Sequence, residues 1–541
     1  MTVAANDSFD LLEKGWIPAR LHGGTTDELS IREVFHRARD IRELGGELPT
    51  QTFAIIRLLL AIVYRAAGSP VDADRWALWW DGGLPLDNID GYLDRFHDRF
   101  DLLHPDRPFF QVADLATARG EVKDVAPLIF DLPSNNRLFT NRAGEGATRL
   151  SYAEAARWVV NAQAFDPSGI KSGAIGDPRV KNGKGYPIGL AWTGLLGGVL
   201  NEGDDLHETL LLNLVGGDSD LAFDLDGDLP PWEDDVPDSA VERGIRPLGP
   251  VRLFTWQSRR IRLVSDGSHI TGCLIANGDA LTPQNLFAYE PHTAWRYSEP
   301  QSKRARVTTY MPREHRPDRA FWRGISALLP ATTETVKGID LARSPANVRW
   351  VGFLQEERLL NPRKRIRLRA IGVVYGSNNS VVDDIVDDRL TVSLALLSEQ
   401  HPVIAAEAEN AVRLAEEGIR ALRRLAENLA KAAGGDGEGP RARAEERAYA
   451  RLDGEYRTWL ARLDADSDPA AEIATWRETA RTVLHELGAA LVRDAGPTAW
   501  VGRELAGHGG TELVNTSRAE SWFLRALHNT FGSSTGKDQA A

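Results

Sequence analysis

The feature that most constrains this chain is a change of character near residue 380. Beyond it the sequence turns rich in Ala, Leu, Glu and Arg, and Leu414, Ile419, Leu422, Leu425 and Leu429 trace one apolar stripe at helical spacing. The spacing predicts helices over 381–399, 402–433, 441–464 and 469–494, with the Gly-rich stretch 434–440 as an uncapped, flexible connection. Long amphipathic helices joined by short connections bury their stripes against one another. Residues 380–541 are therefore expected to form a four-helix bundle, with a short helix over 521–530 and then a polar tail.

Residues 1–379 read differently. A helical stretch over 48–67 sits among Gly/Pro-rich loops and strand-like runs at 251–256 and 261–264, with no repeating alternation of strand and helix. The expected class is α+β: a large mixed α/β N-terminal domain followed by a C-terminal four-helix bundle. Two domains suit 541 residues, more than one hydrophobic core usually serves. With 42% hydrophobic and 26% charged residues, the balance is that of an ordinary globular chain.

Composition also removes whole classes of function. The single cysteine, Cys273, excludes an internal disulfide and a multi-cysteine zinc site, and is expected to be a small buried apolar side chain. The first residues, MTVAANDSFDLLEKG, lack the basic start and apolar run of a secretory signal. The longest apolar run, 53–64, contains Arg57 and is about half the roughly 20 residues that span a bilayer, so it reads as a buried helix. A cytoplasmic protein with no membrane partner is expected.

The formal net charge of −13 argues against a free-standing protein that coats DNA, because non-specific affinity comes from neutralising phosphates with Lys and Arg. The charge is uneven, however. Residues 218–238 hold nine acids and no base, whereas 363–369 hold five bases and no acid. In Arg365-Ile366-Arg367-Leu368-Arg369 the alternation puts three guanidiniums on one strand face. That face suits either a phosphate backbone or pairing with the acidic segment.

Enzyme signatures fail on inspection. His485-Glu486-Leu487-Gly488-Ala489 has Ala where a second zinc-binding His must stand one turn later. Gly532-Ser533-Ser534-Thr535-Gly536 matches a nucleophile elbow but lies in the polar tail, with no strand before it and no helix after it. Asp224, Asp226 and Asp228 lack the closing Glu of a calcium loop. No metal, cofactor or catalytic constellation is expected.

Three loops remain whose composition exceeds what a connection needs. The first, Asn135-Asn136-Arg137-Leu138-Phe139-Thr140-Asn141, offers an aromatic among amides, suited to stacking on a base or to burial beneath a polar turn. The second, Pro167-Ser168-Gly169-Ile170-Lys171-Ser172-Gly173, continues through Lys181-Asn182-Gly183-Lys184-Gly185. Bare glycine backbone can approach a groove closely there, and the lysines can contact phosphates, although a surface linker has the same composition. The third, Tyr375-Gly376-Ser377-Asn378-Asn379-Ser380, sets short amides at the tip of a turn, to reach base edges or simply to make the turn.

Together with Phe9-Asp-Leu-Leu-Glu-Lys-Gly-Trp16-Ile-Pro18, His104-Pro-Asp-Arg-Pro-Phe-Phe110 and the terminal helices, these loops in this order resemble the CasA family, the large subunit of the type I-E CRISPR surveillance complex, Cascade. The resemblance implies a non-catalytic subunit that recognises the protospacer-adjacent motif (PAM) of target double-stranded DNA through the minor groove and begins unwinding toward the guide RNA. It also implies other Cascade subunits as partners, and a docking surface for a helicase-nuclease recruited after R-loop formation. By position, Phe139, Thr140 and Asn141 would lie near the guide RNA 5′ handle and the PAM end, and Gly169, Ile170 and Lys171 would read the PAM. The family's wedge glutamine aligns with Asn379, or with Asn378 if the turn shifts by one. Its lysine finger falls near 271–278, where Asn277 stands instead.

Lys181, Lys184, Arg365, Arg367 and Arg369 are the expected backbone contacts. Where guide pairing carries the long specificity, an acidic chain needs only local positive points. A pure scaffold and a hydrolase of unknown substrate are the alternatives; the second requires a His meeting a carboxylate in a cleft.

Overall fold

In the computed structural model, which describes residues 8–132, 144, 148–224, 226–235, 244–330, 335–507 and 510–532, the apolar stripe becomes one continuous helix, Pro402–Ala433. Proline at its first turn starts it, and Gly434 stops it in the left-handed region (φ +98°), donating its N–H to the Ala430 and Lys431 carbonyls. Arg503 donates to the carbonyls of Ala432 and Ala433. The connection expected to be uncapped is therefore capped, and the next helix begins at Glu438 rather than 441.

Glu438–Leu460, Pro469–Arg493 and Thr516–Phe531 pack around this central helix. The bundle is four-helical as expected, but its fourth helix is Thr516–Phe531 and not 381–399. Two glycines make room for it. A Cβ on Gly418 would stand 2.7 Å from the Phe531 ring, and one on Gly488 would overlap the Phe523 ring. Tyr456 and Trp476 tie the other two helices to the centre, donating to the Ala408 and Ala411 carbonyls, each at 2.9 Å.

Most of 381–399 is instead the strand Val382–Ser393, which pairs with Arg365–Tyr375, itself paired with Gly198–Glu202. Val382, Ile385, Val386 and Val392 are β-branched and suit a pleated surface better than a helix. The run 251–256 errs in the other direction and is the helix Pro250–Phe254. Its first-turn amides, Val251 and Arg252, donate to the Asp228 carboxylate at 2.8 Å, and that cap outweighs strand propensity.

The chain divides into two compact units: Met1–Phe321 with Thr333–Leu360 and Ile366–Leu390, and Trp322–Thr332 with Asn361–Arg365 and Thr391–Ala541. The first is built on the helix Pro49–Ala67, largely apolar and buried on all sides, which is the one helix among the described residues long and apolar enough to cross a membrane. At its middle the buried Arg57 forms a two-pronged pair with Glu290, both contacts at 2.7 Å, while Trp192 Nε1 donates to the same carboxylate at 3.0 Å. Three acids of the acidic segment are likewise paired within the unit: Glu233 with Arg65, Asp234 with Arg252 and Asp220 with Arg349.

The same core sets an acid limit. His292 stacks on Phe254 at 4.9 Å between ring centroids, and burial, reinforced by the neighbouring Arg57 charge, pushes its pKa down to about 3. Between the unfolded histidine value near 6.5 and that folded value, the unfolded chain binds a proton that the folded chain refuses. The stabilisation is complete above about pH 6.5 and is lost as pH falls toward 3. Denaturant midpoints measured across this window are expected to fall with pH in the parent, and less steeply in His292→Asn.

Candidate nucleic-acid interface

The helix Tyr152–Phe165, capped by the Ser151 hydroxyl on the Glu154 N–H, runs directly into the glycine loop. Its last turn ends at Asp166, whose buried carboxylate meets both the Lys171 ammonium and the Arg259 guanidinium. Burial alone would raise the Asp166 carboxyl. The two cations reverse the sign and hold it below the usual carboxylate range. Lys171 is pulled below its ordinary value by burial, which outweighs the attraction of Asp166.

Lys171, expected to reach DNA, is thus committed inward, with its side chain 13% exposed. It fastens the loop. Arg259 completes the fastening by donating to the carbonyls of Asp166, Pro167 and Gly189.

Beyond this root the loop turns outward. Gly169 has φ +157°, a conformation side chains rarely adopt, and a Cβ there would meet open space. Ile170 is 55% exposed. The chain then enters a five-stranded sheet in the order Val180–Lys181, Lys184–Gly185, Lys171–Ser172, Ile270–Asn277, Arg259–Ser265.

Asn182 (φ +53°) and Gly183 (φ +71°) form the two-residue hairpin turn that the Asn-Gly pair favours. The turn sets Lys181 directly opposite Lys184. Both lysines are exposed, and neither makes an ion pair among the described residues.

Asn277 is a second correction. It is 3% exposed, and its Nδ2 donates to the Tyr186 carbonyl at 2.7 Å, so it braces the hairpin from beneath and does not stand in for a finger. Gly185 leaves room beside it: a Cβ there would lie 3.1 Å from that same Nδ2, a tight contact.

The Asn tip is rooted on the same ground. Tyr375, the last residue of its strand, donates its hydroxyl to the Phe165 carbonyl at 2.6 Å. The two loops, 210 residues apart in sequence at that bond, share one anchor. Gly376 N–H donates to Val381 O at 3.0 Å to close the turn, and Asn378 (φ +55°) and Asn379 (φ +56°) both sit in the left-handed region that Asn tolerates. Both are exposed.

The arginine strand is the third correction. Arg369 is 5% exposed and holds Asp387 at 2.7 Å and Glu202 at 3.3 Å. Arg367, opposite Glu202 in the ladder, donates to the Gly203 carbonyl at 2.6 Å. Arg365 is exposed but donates through Nε to the Ala461 carbonyl at 2.7 Å. The acids that occupy Arg367 and Arg369 come from neighbouring strands and not from the acidic segment 218–238. Phe139, Thr140 and Asn141 lie outside the described residues.

Asp166, Arg259 and Tyr375 organise the site; Tyr375 opens the third loop in the sequence, but its bond to Phe165, like that of Arg259 to Asp166, spans a gap that no local pattern announces. The histidine–carboxylate pairs among the described residues are His36 with Asp90 at 2.8 Å and His97 with Asp10 at 3.0 Å, both with imidazoles about half exposed. No group of His, Cys, Asp and Glu able to hold a metal ion occurs among the described residues.

The family model described as CRISPR-associated protein Cse1 matches residues 10–487. CasA/Cse1 of Thermus thermophilus is 31% identical, over 96% of this chain and 97% of the relative. The crystal structure of Thermobifida fusca Cse1 superposes with a TM-score of 0.89 at 43% identity, covering 97% of this chain and 98% of that one. Cse1 from Acidimicrobium ferrooxidans gives 0.81 at 30%, covering 97% and 99%. A chain of a solved CRISPR RNA-guided surveillance complex, 19% identical, has the same fold with a TM-score of 0.69. The chain belongs to the CRISPR-associated Cse1 (CasA) family.

Proposed function

We propose that this chain is the large, non-catalytic subunit of an RNA-guided DNA surveillance complex and reads a short motif flanking the target in duplex DNA. One arrangement carries the reading: the Gly169–Ile170 turn, with open space at its apex, is pinned to the same Phe165–Asp166 root as the Asn378–Asn379 tip. A minor groove is only about 6 Å wide, and bare glycine backbone enters it more easily than a side chain does. With Gly169 and Ile170 at the groove, Lys181 and Lys184 meet the flanking phosphates. The Asn378–Asn379 tip, held rigidly by Tyr375, presses beside a base step where strand separation begins.

Guide pairing then carries the long specificity, and the surface presented after unwinding receives a helicase-nuclease. The test uses the chain assembled with guide RNA and its partner subunits, offered duplexes whose target is constant and whose flank is randomised. Enrichment of one short flanking motif is expected. Equal recovery of all flanks would remove the reading.

A further inference from the structure

The proposed reader uses Ile170, Lys181 and Lys184 but leaves the exposed aromatic side chain beside them, Tyr186, unassigned. Lys171 pairs with Gly185 and Ser172 with Lys184 in an antiparallel ladder, so extending the register by one residue sets Ile170 opposite Tyr186. Opposed residues share a face, and alternation puts Ser172 with Ile170 on that face. The same rule adds Lys184, and Lys181 across the hairpin. The opposite face carries Lys171 and Gly185.

Burial follows this division: Gly185 is buried and Lys171 largely so, whereas Ile170, Lys181, Lys184 and Tyr186 are exposed. Tyr186, 47% exposed, is with Trp500 one of two exposed aromatic side chains among the described residues. Its hydroxyl has no hydrogen-bond partner among them.

We infer that the outward face of this hairpin is a second DNA contact, in which Tyr186 and Ile170 clamp the sugar edge of the duplex beside the Gly169 turn, Lys181 and Lys184 hold its phosphates, and Asn277 positions Tyr186 from beneath. The inference rests on the proposed reading for its choice of duplex DNA.

Charge complementarity selects the occupant. Two opposed ammoniums without acid partners repel one another across the ladder, and a polyanion relieves that repulsion. An amphipathic ring and a branched aliphatic chain between them provide the apolar contact that sugars and base faces accept irrespective of sequence. The hairpin is also held in place from within. A Cβ on Gly173 would stand 2.5 Å from the Gly183 carbonyl oxygen, and Asn277 grips the Tyr186 carbonyl.

The experiment measures duplex affinity of the assembled complex across a salt series, with assembly and helix content checked for each variant. Tyr186→Ala is expected to weaken binding about tenfold with an unchanged salt slope, and Tyr186→Phe to restore it. The double variant Lys181→Gln/Lys184→Gln should lower the magnitude of the slope of log K against log salt by about 2, equally for every flank. Asn277→Ala should weaken binding in the parent yet add nothing in the Tyr186→Ala background, the coupling expected of a positioning residue and not of general destabilisation.

Duplex affinity of Tyr186→Ala equal to the parent at all salt concentrations overturns the clamp. So does loss of complex assembly in that variant, which would mark the face as a docking site for an acidic protein segment. The two ideas fail separately: absence of any flank preference in the parent defeats the motif reader, whereas unchanged Tyr186→Ala affinity alongside an intact preference defeats only the clamp.

Discussion

Replacing Glu290 by alanine is expected to cost the first unit about 3–5 kcal/mol of stability, the usual result of leaving a buried charge without its partner. Arg57 is wholly enclosed, with Phe254 4.4 Å from its guanidinium carbon, so no water can replace the two carboxylate contacts. Trp192 Nε1 and the His292 amide, which donates to Glu290 at 3.1 Å, lose their acceptor at the same stroke. The double variant Arg57→Met/Glu290→Leu should be milder than Glu290→Ala alone, because apolar replacement of both partners also removes their desolvation penalty. Denaturant unfolding followed by tryptophan fluorescence checks the order; a double variant less stable than the single one would contradict it.

Gly169→Leu is expected to erase most of the flank preference while leaving helix content unchanged. Nothing inside the protein opposes the new side chain, since a Cβ at this position meets no atom within 4 Å. The damage is therefore confined to the apex. The backbone at φ +157° disfavours a side chain, and the leucine occupies the space into which a groove would fit. Because one mismatched base pair typically costs about 1–3 kcal/mol, the ratio of affinities for the preferred and a disfavoured flank should shrink by about tenfold or more. Affinity ratios for the assembled complex decide it, with Gly169→Ala expected to fall between the two. An unchanged ratio in Gly169→Leu would clear this turn of any part in reading.

Much of this architecture is legible in the residues themselves. Leu414 to Leu429 specify the central helix because helical periodicity is a local property, settled within a few turns. The Asn182-Gly183 turn and the left-handed Asn378 and Asn379 are equally local, since short polar side chains and glycine tolerate those torsions wherever they occur. The error at 381–399 came from extending the character of the bundle past its start. The run has β-branched residues at 381, 382, 385, 386 and 392, and a waiting partner strand decided the matter.

The charged and amide candidates divided along the same line. Lys181 and Lys184 stay at the surface because their hairpin is made from neighbours in sequence. Asn277 and Arg369 turned inward on groups distant in sequence, a carbonyl 91 residues away and a carboxylate 167 residues away, the latter beside Asp387 on the adjacent strand; Lys171 met the nearby Asp166, in a site that Arg259 completes from 93 residues away. The sequence by itself determined three of the bundle's helices, the buried core helix and the torsions of the Asn182-Gly183 and Asn378-Asn379 turns, all of which follow from periodicity and torsional preference. Only the tertiary structure decided which polar groups remain free to meet a ligand, because a polar group removed from water takes whichever partner the folded chain brings within about 3 Å, however distant in sequence.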